Sequence, residues 1–99
     1  MSWSIQLLPE AEAEFDGAAG WYEDEADGLG EDFVDRVQAV FDRITANPRI
    51  HQKVFGSVRK AVVRRFPYVV IYQETGSEVL VISVFHTSRD PKEWQRRIL

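Results

Sequence analysis

The sequence predicts an α+β domain in the order βααβββα: an N-terminal strand, an antiparallel helical hairpin packed on a mostly antiparallel sheet, and a short C-terminal helix. Three observations lead there. Apolar residues recur at helical spacing through most of residues 9–46, strand-like runs rich in β-branched residues follow from Val58, and a helix-start signal stands at Asp90-Pro91. A chain of 99 residues fits one domain spanning 1–99, since two cores would be starved at this length.

Trp3, Ile5 and Leu7 alternate with Ser4 and Gln6, the period of a strand with one buried face. Pro9 suits the first turn of a helix, where no N–H is needed, and Glu10, Glu12, Glu14 and Asp16 favour the positive end of its dipole. The buried stripe of that helix is Ala11, Phe15, Ala18 and Tyr22; Gly17 and Gly20 weaken it and suggest close helix packing. Gly28-Leu29-Gly30 interrupts the pattern, and a second helix follows with Phe33, Val37, Val40, Phe41 and Ile44 on its core face, stopped by Asn47-Pro48. So short a connection makes the two helices an antiparallel hairpin.

Three strand-like runs come next, Val58 to Phe66, Tyr68 to Glu74 and Val79 to His86, with a break at Phe66-Pro67 and a turn at Thr75-Gly76-Ser77. The last run barely alternates, which predicts a central strand buried on both faces. Asp90-Pro91-Lys92-Glu93 then supplies a capping carboxylate, a proline in the first turn and a following glutamate, the start of a short helix.

Composition removes several classes of function. Hydrophobic residues make up 44% of the chain, enough to favour a packed fold over disorder, and no apolar run approaches the roughly 20 residues that span a bilayer. The start lacks a signal-peptide pattern, so a cytoplasmic protein without membrane partners is expected. The absence of cysteine excludes disulfides, thiolate nucleophiles and Cys-type zinc sites. The net charge of −4 hides a division: residues 1–50 carry twelve acidic and three basic side chains, and residues 51–99 carry four and nine. Those halves stand at −9 and +5, which solubility alone would explain or an anionic partner for the basic half.

No phosphate-binding glycine loop, HExxH or GxSxG motif is present, and His51 and His86 have no neighbours at metal-binding spacing. No cofactor or metal is expected. His86 ends the last strand before a loop with Thr87, Ser88 and Arg89, a place for a functional imidazole or for one that fixes the turn. Arg59, Arg64 and Arg65 fall in one predicted strand, where alternation sets Arg64 on the face opposite Arg59 and Arg65; they cannot all serve one site. Trp94 reads as a packing residue over the sheet.

The ordered set Trp21-Tyr22-Glu23, Gly28-Leu29-Gly30 with Phe33, Asn47-Pro48, Arg59, Phe66-Pro67-Tyr68-Val69-Val70-Ile71-Tyr72 and Val84-Phe85-His86-Thr87-Ser88-Arg89-Asp90-Pro91 with Trp94 resembles the RelE/ParE toxin superfamily, the plasmid-stabilisation toxins, over nearly the whole chain. The resemblance implies the toxin of a type II toxin–antitoxin system, neutralised by a small cognate antitoxin whose tail folds on it, with the helical hairpin and a sheet edge as docking surfaces. It implies contact with DNA only through the antitoxin.

RelE-like members cleave messenger RNA on the ribosome with basic side chains and a C-terminal tyrosine, whereas ParE-like members block DNA gyrase by binding. In the cleaving members an arginine commonly follows the motif tyrosine; here Val69 follows Tyr68, and Glu93 and Trp94 stand where the later tyrosine is placed. Arg59, Arg64, His86 and Arg89 remain as a candidate catalytic or functional surface, with His86 a reasonable general base. Site chemistry therefore favours a binding, ParE-like toxin acting on gyrase. The alternatives are a metal-independent, ribosome-dependent endoribonuclease and a non-toxic relative that retains antitoxin binding.

Overall fold

The computed structural model describes residues 3–98, in the order β1 (Ser4–Leu7), α1 (Pro9–Glu25), α2 (Leu29–Ala46), β2 (Gln52–Phe55), β3 (Val58–Val62), β4 (Tyr68–Thr75), β5 (Glu78–His86) and α3 (Lys92–Gln95). The sheet runs β1-β5-β4-β3-β2 and is antiparallel except where β1 lies parallel to β5, with Ser4 opposite Glu78 and Leu7 opposite Val81. The α+β class and mostly antiparallel sheet agree with the sequence prediction. None of the helices among the described residues is long and apolar enough to cross a membrane.

The expected helical stripes meet on one face of the sheet. Ala11 and Ala18 of α1 and Phe33, Val37, Val40, Phe41 and Ile44 of α2 are buried against Ala61, Val70, Tyr72, Val79, Val81 and Val84, with Phe15 and Tyr22 packed at the margin. Phe15 meets Phe41 at 5.8 Å and Tyr22 meets Phe33 at 5.2 Å between ring centroids, the descending register of an antiparallel hairpin. On the opposite face Trp94 of α3 closes over Val58, Val69, Ile71, Ile82 and Phe85. Both β4 and β5 are thus buried on two sides, which explains their unbroken apolar runs.

The helix connection gives a physical reason for the Trp-Tyr-Glu and Gly-Leu-Gly motifs. Gly28 takes the left-handed conformation at φ 85°, and the Glu23 carboxylate accepts the Gly28 and Gly30 amides at 3.0 Å each, serving two donors that the first turn of α2 leaves free. A Cβ on Gly30 would lie 2.5 Å from the Ala19 carbonyl oxygen, so the helices approach closely here and glycine is required. Gly17 and Gly20, which the sequence suggested for that role, have open space beside them. Replacing Glu23 by alanine is expected to cost about 1 kcal/mol, as loss of a helix cap does, and to lower the urea midpoint with an unchanged slope.

Two details differ from the sequence prediction. An additional edge strand, β2, pairs antiparallel with β3, so four strands rather than three follow the helices. Its four residues are all exposed, so they lack the alternation that betrays a half-buried strand. The predicted run from Val58 to Phe66 ends at Val62, because Arg64 and Arg65 enter the turn to β4 and Arg65 adopts a left-handed φ of 72°. Strand alternation therefore does not govern Arg64 and Arg65.

Candidate functional site

Aromatic side chains from both halves of the chain converge near the connected end of the hairpin, where Tyr22 and Phe33 flank the turn between α1 and α2. Phe66 packs edge-on to Tyr22 and Phe33, at 4.9 and 5.2 Å, and Tyr68 lies 5.0 Å from Phe33. Pro67 shapes the turn that presents them: the Tyr68 amide donates to the Phe66 carbonyl at 2.8 Å, and the Pro67 carbonyl accepts the Thr87 amide at 2.9 Å. Trp21, Tyr22, Pro67, Tyr68 and His86 line a concavity of about 430 Å³. Sharing Trp21 and Tyr68 with it, a groove of about 280 Å³ runs between α1 and β5 past Gly17 and Ala18 to Arg89. Trp21 is 59% exposed at the shared wall, an aromatic surface suited to a macromolecular partner.

His86 and Arg89 belong to this region. The His86 ring stands edge-on to Tyr68 at 5.0 Å, its cross-strand partner. Its Nδ1 accepts the Ser88 amide at 3.1 Å and lies 2.8 Å from the Ser88 hydroxyl, so the neutral ring carries its proton on Nε2. Arg89 is held between two carboxylates, bonded to Glu93 and 4.0 Å from Glu14. Its guanidinium is half-exposed and pairs principally with Glu93.

Arg59 lies elsewhere. It sits opposite Tyr72 while His86 sits opposite Tyr68, and four residues along a strand separate the two positions by roughly 13 Å at about 3.3 Å per residue. Its guanidinium donates to the carbonyls of Arg49 and His51 at 3.1 and 2.7 Å, pinning the segment before β2 to the sheet. Arg64 is exposed in the β3–β4 turn. The structure thus joins His86 with Arg89 and sets Arg59 apart.

Two polar clusters had no signature in residue spacing. Glu14, on the groove side of α1, accepts two bonds from the Arg97 guanidinium at 2.8 and 3.1 Å and one from the Ser83 hydroxyl at 2.8 Å. Arg97 also donates to the Ile82 carbonyl at 3.0 Å, beside the bulge that leaves Ile82 without an opposite residue on β4. The ion pair is only 13–15% exposed, and the hydrogen bond that Arg97 donates to Glu14 raises the affinity of Arg97 for its proton further. It clasps the C-terminal segment to α1 and to β5 beyond the end of β1.

At the other end of the sheet the buried Tyr72 hydroxyl donates to the Pro48 carbonyl at 2.7 Å, so His51 Nδ1, 3.0 Å away, is the donor to the phenol oxygen. Burial pushes the Tyr72 phenol up to about 12, while burial and then the Arg43 and Arg59 charges hold His51 below its usual 6.5. The unfolded chain takes a proton on His51 before the folded one does, and releases the Tyr72 proton first. Stability is therefore expected to fall as pH drops below about 6.5, and again as pH rises from about 10 toward 12. Thermal melts across this range check both limbs, and Tyr72→Phe should flatten the alkaline one.

Comparison with known proteins defines the class of molecule. Residues 5–91 match the family described as the ParE toxin of the type II toxin–antitoxin system, parDE. The chain belongs to this ParE toxin family, and membership implies a cognate antitoxin partner. A solved structure of the chromosomal ParDE TA system from P. aeruginosa shares the fold with a TM-score of 0.62 at 16% identity, over 86% of this chain and 96% of that one. No individual curated protein matches the chain in sequence.

Proposed function

We propose that this ParE-family toxin arrests growth by binding DNA gyrase, without cutting nucleic acid, and that its cognate antitoxin blocks the binding. One observation carries the non-cleaving half of the reading: the candidate cations do not assemble around a base. Arg59 is engaged with backbone carbonyls at a distance from His86, and Arg89 beside His86 is ion-paired with Glu93. Phosphate cleavage needs free positive charge at the developing oxyanion, which the surroundings of His86 do not offer. An exposed tryptophan over an aromatic concavity suits recognition of a protein surface instead.

Purified toxin is expected to inhibit gyrase supercoiling, with relief on addition of the antitoxin. Trp21→Ala should weaken the inhibition at least tenfold, as loss of a central aromatic anchor does, with little change in stability for so exposed a side chain. Unchanged supercoiling, or messenger RNA cut at the ribosomal A site in a way that His86→Ala or Arg89→Ala abolishes, would favour the ribonuclease instead.

A further inference from the structure

The concavity on which Trp21 stands is walled by rings set at steep angles. Trp21 and Tyr22 meet at 81°, Tyr22 and Tyr68 at 67°, and Tyr68 and His86 at 77°, with centroids 5.1, 6.3 and 5.0 Å apart. All four line the same space of about 430 Å³, with Pro67 beside them. Walls inclined in this way surround a guest from several sides, and the face of an aromatic ring carries the negative end of its quadrupole. Among the described residues no Lys or Arg lines the space. Burial pushes the Tyr22 and Tyr68 phenols up, so both stay protonated and the walls attract as neutral rings. At the end of α1, Asp24 and Glu25 stand exposed three and four residues after Trp21, the spacing of neighbours on a helix surface. Neither forms an ion pair among the described residues.

We propose that this concavity receives a cationic side chain, an arginine, presented by gyrase. The inference rests on the gyrase reading and adds the chemistry by which that target is recognised. Arginine suits the walls because its planar guanidinium stacks on ring faces and is weakly hydrated, whereas a lysine ammonium must give up more water. The acids set the direction of approach. Asp24 and Glu25 draw a positive group toward the α1 wall, which carries no basic residue of its own. The chain's cations nearest in sequence to the lining residues stand on other elements: Arg64 and Arg65 are exposed in the turn before Pro67, and Arg89 is paired with Glu93 in the adjoining groove. A carboxylate fits poorly, since it would meet negative ring faces beside two acids. An apolar wedge would fill the space without using either feature, and the experiment separates it from a cation.

N-acetyl-arginine methylamide is titrated into the toxin, and separately its citrulline analogue, which has the same length and no charge, while the Trp21 indole and Tyr68 ring resonances are followed. The arginine probe should shift both signals with a dissociation constant on the order of tens of millimolar, as one cation–π contact allows, and the citrulline probe should bind at least about fivefold more weakly. In supercoiling assays Trp21→Phe should stay within about fivefold of the parent, while Trp21→Leu, apolar but without a ring, should lose at least about tenfold. Glu25→Lys, a change that the dipole at the end of α1 favours, should fold normally and lose about fivefold or more. Glu78→Lys makes the same charge change eight residues along β5 from His86, roughly 26 Å away at about 3.3 Å per residue, and should match the parent. Equal shifts by the two probes or none from either, a Trp21→Leu protein as inhibitory as Trp21→Phe, or a Glu25→Lys effect no larger than that of Glu78→Lys would each overturn the assignment. An unmodified toxin that leaves supercoiling untouched while the arginine probe still binds would sink the gyrase target instead, a failure distinct from that of the cation site.

Discussion

Truncating Phe33 to alanine is expected to cost about 3–5 kcal/mol, the range for emptying a large aromatic from a closed core. Phe33 has no exposed surface, and its ring is enclosed by those of Phe15, Tyr22, Phe66 and Tyr68 at centroid distances of 5.0–6.1 Å. Those neighbours come from α1, the β3–β4 turn and β4, so relaxation of one pulls on the rest. Urea unfolding should show a lower midpoint, with Phe33→Leu retaining much of what alanine loses. The same four-way packing supports Tyr22 and Tyr68 in the wall of the concavity, so the inhibition proposed above should fall with stability. A Phe33→Ala protein as stable as the parent would show that the aromatic cluster is not the keystone of the hairpin.

Removing the Glu14 carboxylate should cost about 3 kcal/mol, because it leaves the Arg97 guanidinium mostly buried without its counter-ion. Ser83, fully buried, would lose its acceptor as well. For a domain near 100 residues this corresponds to a fall of roughly 10–20 °C in Tm. The double variant Glu14→Leu/Arg97→Met should recover much of the loss, since a buried pair replaced by apolar groups of similar size is often neutral. If the single Glu14→Ala change leaves Tm within a degree or two, the clasp contributes nothing and the C-terminal segment is held by Trp94 and Ile98 alone. Amide hydrogen exchange at residues 94–98 would separate local release from global destabilisation.

Features governed by short-range periodicity were legible before the structure: both helical stripes, the doubly buried last strand, the Asp90-Pro91 start and the parts of the sheet that carry β-branched runs. Features governed by one residue's distant partner were not. Glu14 read only as an acid at a helix N-terminus, and nothing between it and Arg97, 83 positions later, marks them as a pair. The strand β2 escaped because Gln-Lys-Val-Phe lies exposed along an edge and has no buried face to print a pattern. The end of β3 was misplaced because left-handed turns are usually announced by glycine or asparagine, and here Arg65 takes that conformation. Of the candidate site, His86 and Arg89 lie near one another because one tight turn joins them, whereas Arg59 lies apart. The aromatic wall they adjoin depends on Trp21 and Tyr22, which belong to a helix laid across the sheet by tertiary packing.

The parallel union of β1 with β5 has a consequence for how the toxin comes into being. Ser4 must wait for Glu78 to emerge before its ladder can close, and Glu14 must wait for Arg97, 83 positions later. Such distant pairings impose a late, cooperative closure. A nascent or prematurely terminated chain therefore carries the helices yet lacks the finished scaffold. Translation delivers the closed scaffold only once both halves of each distant pairing have been read.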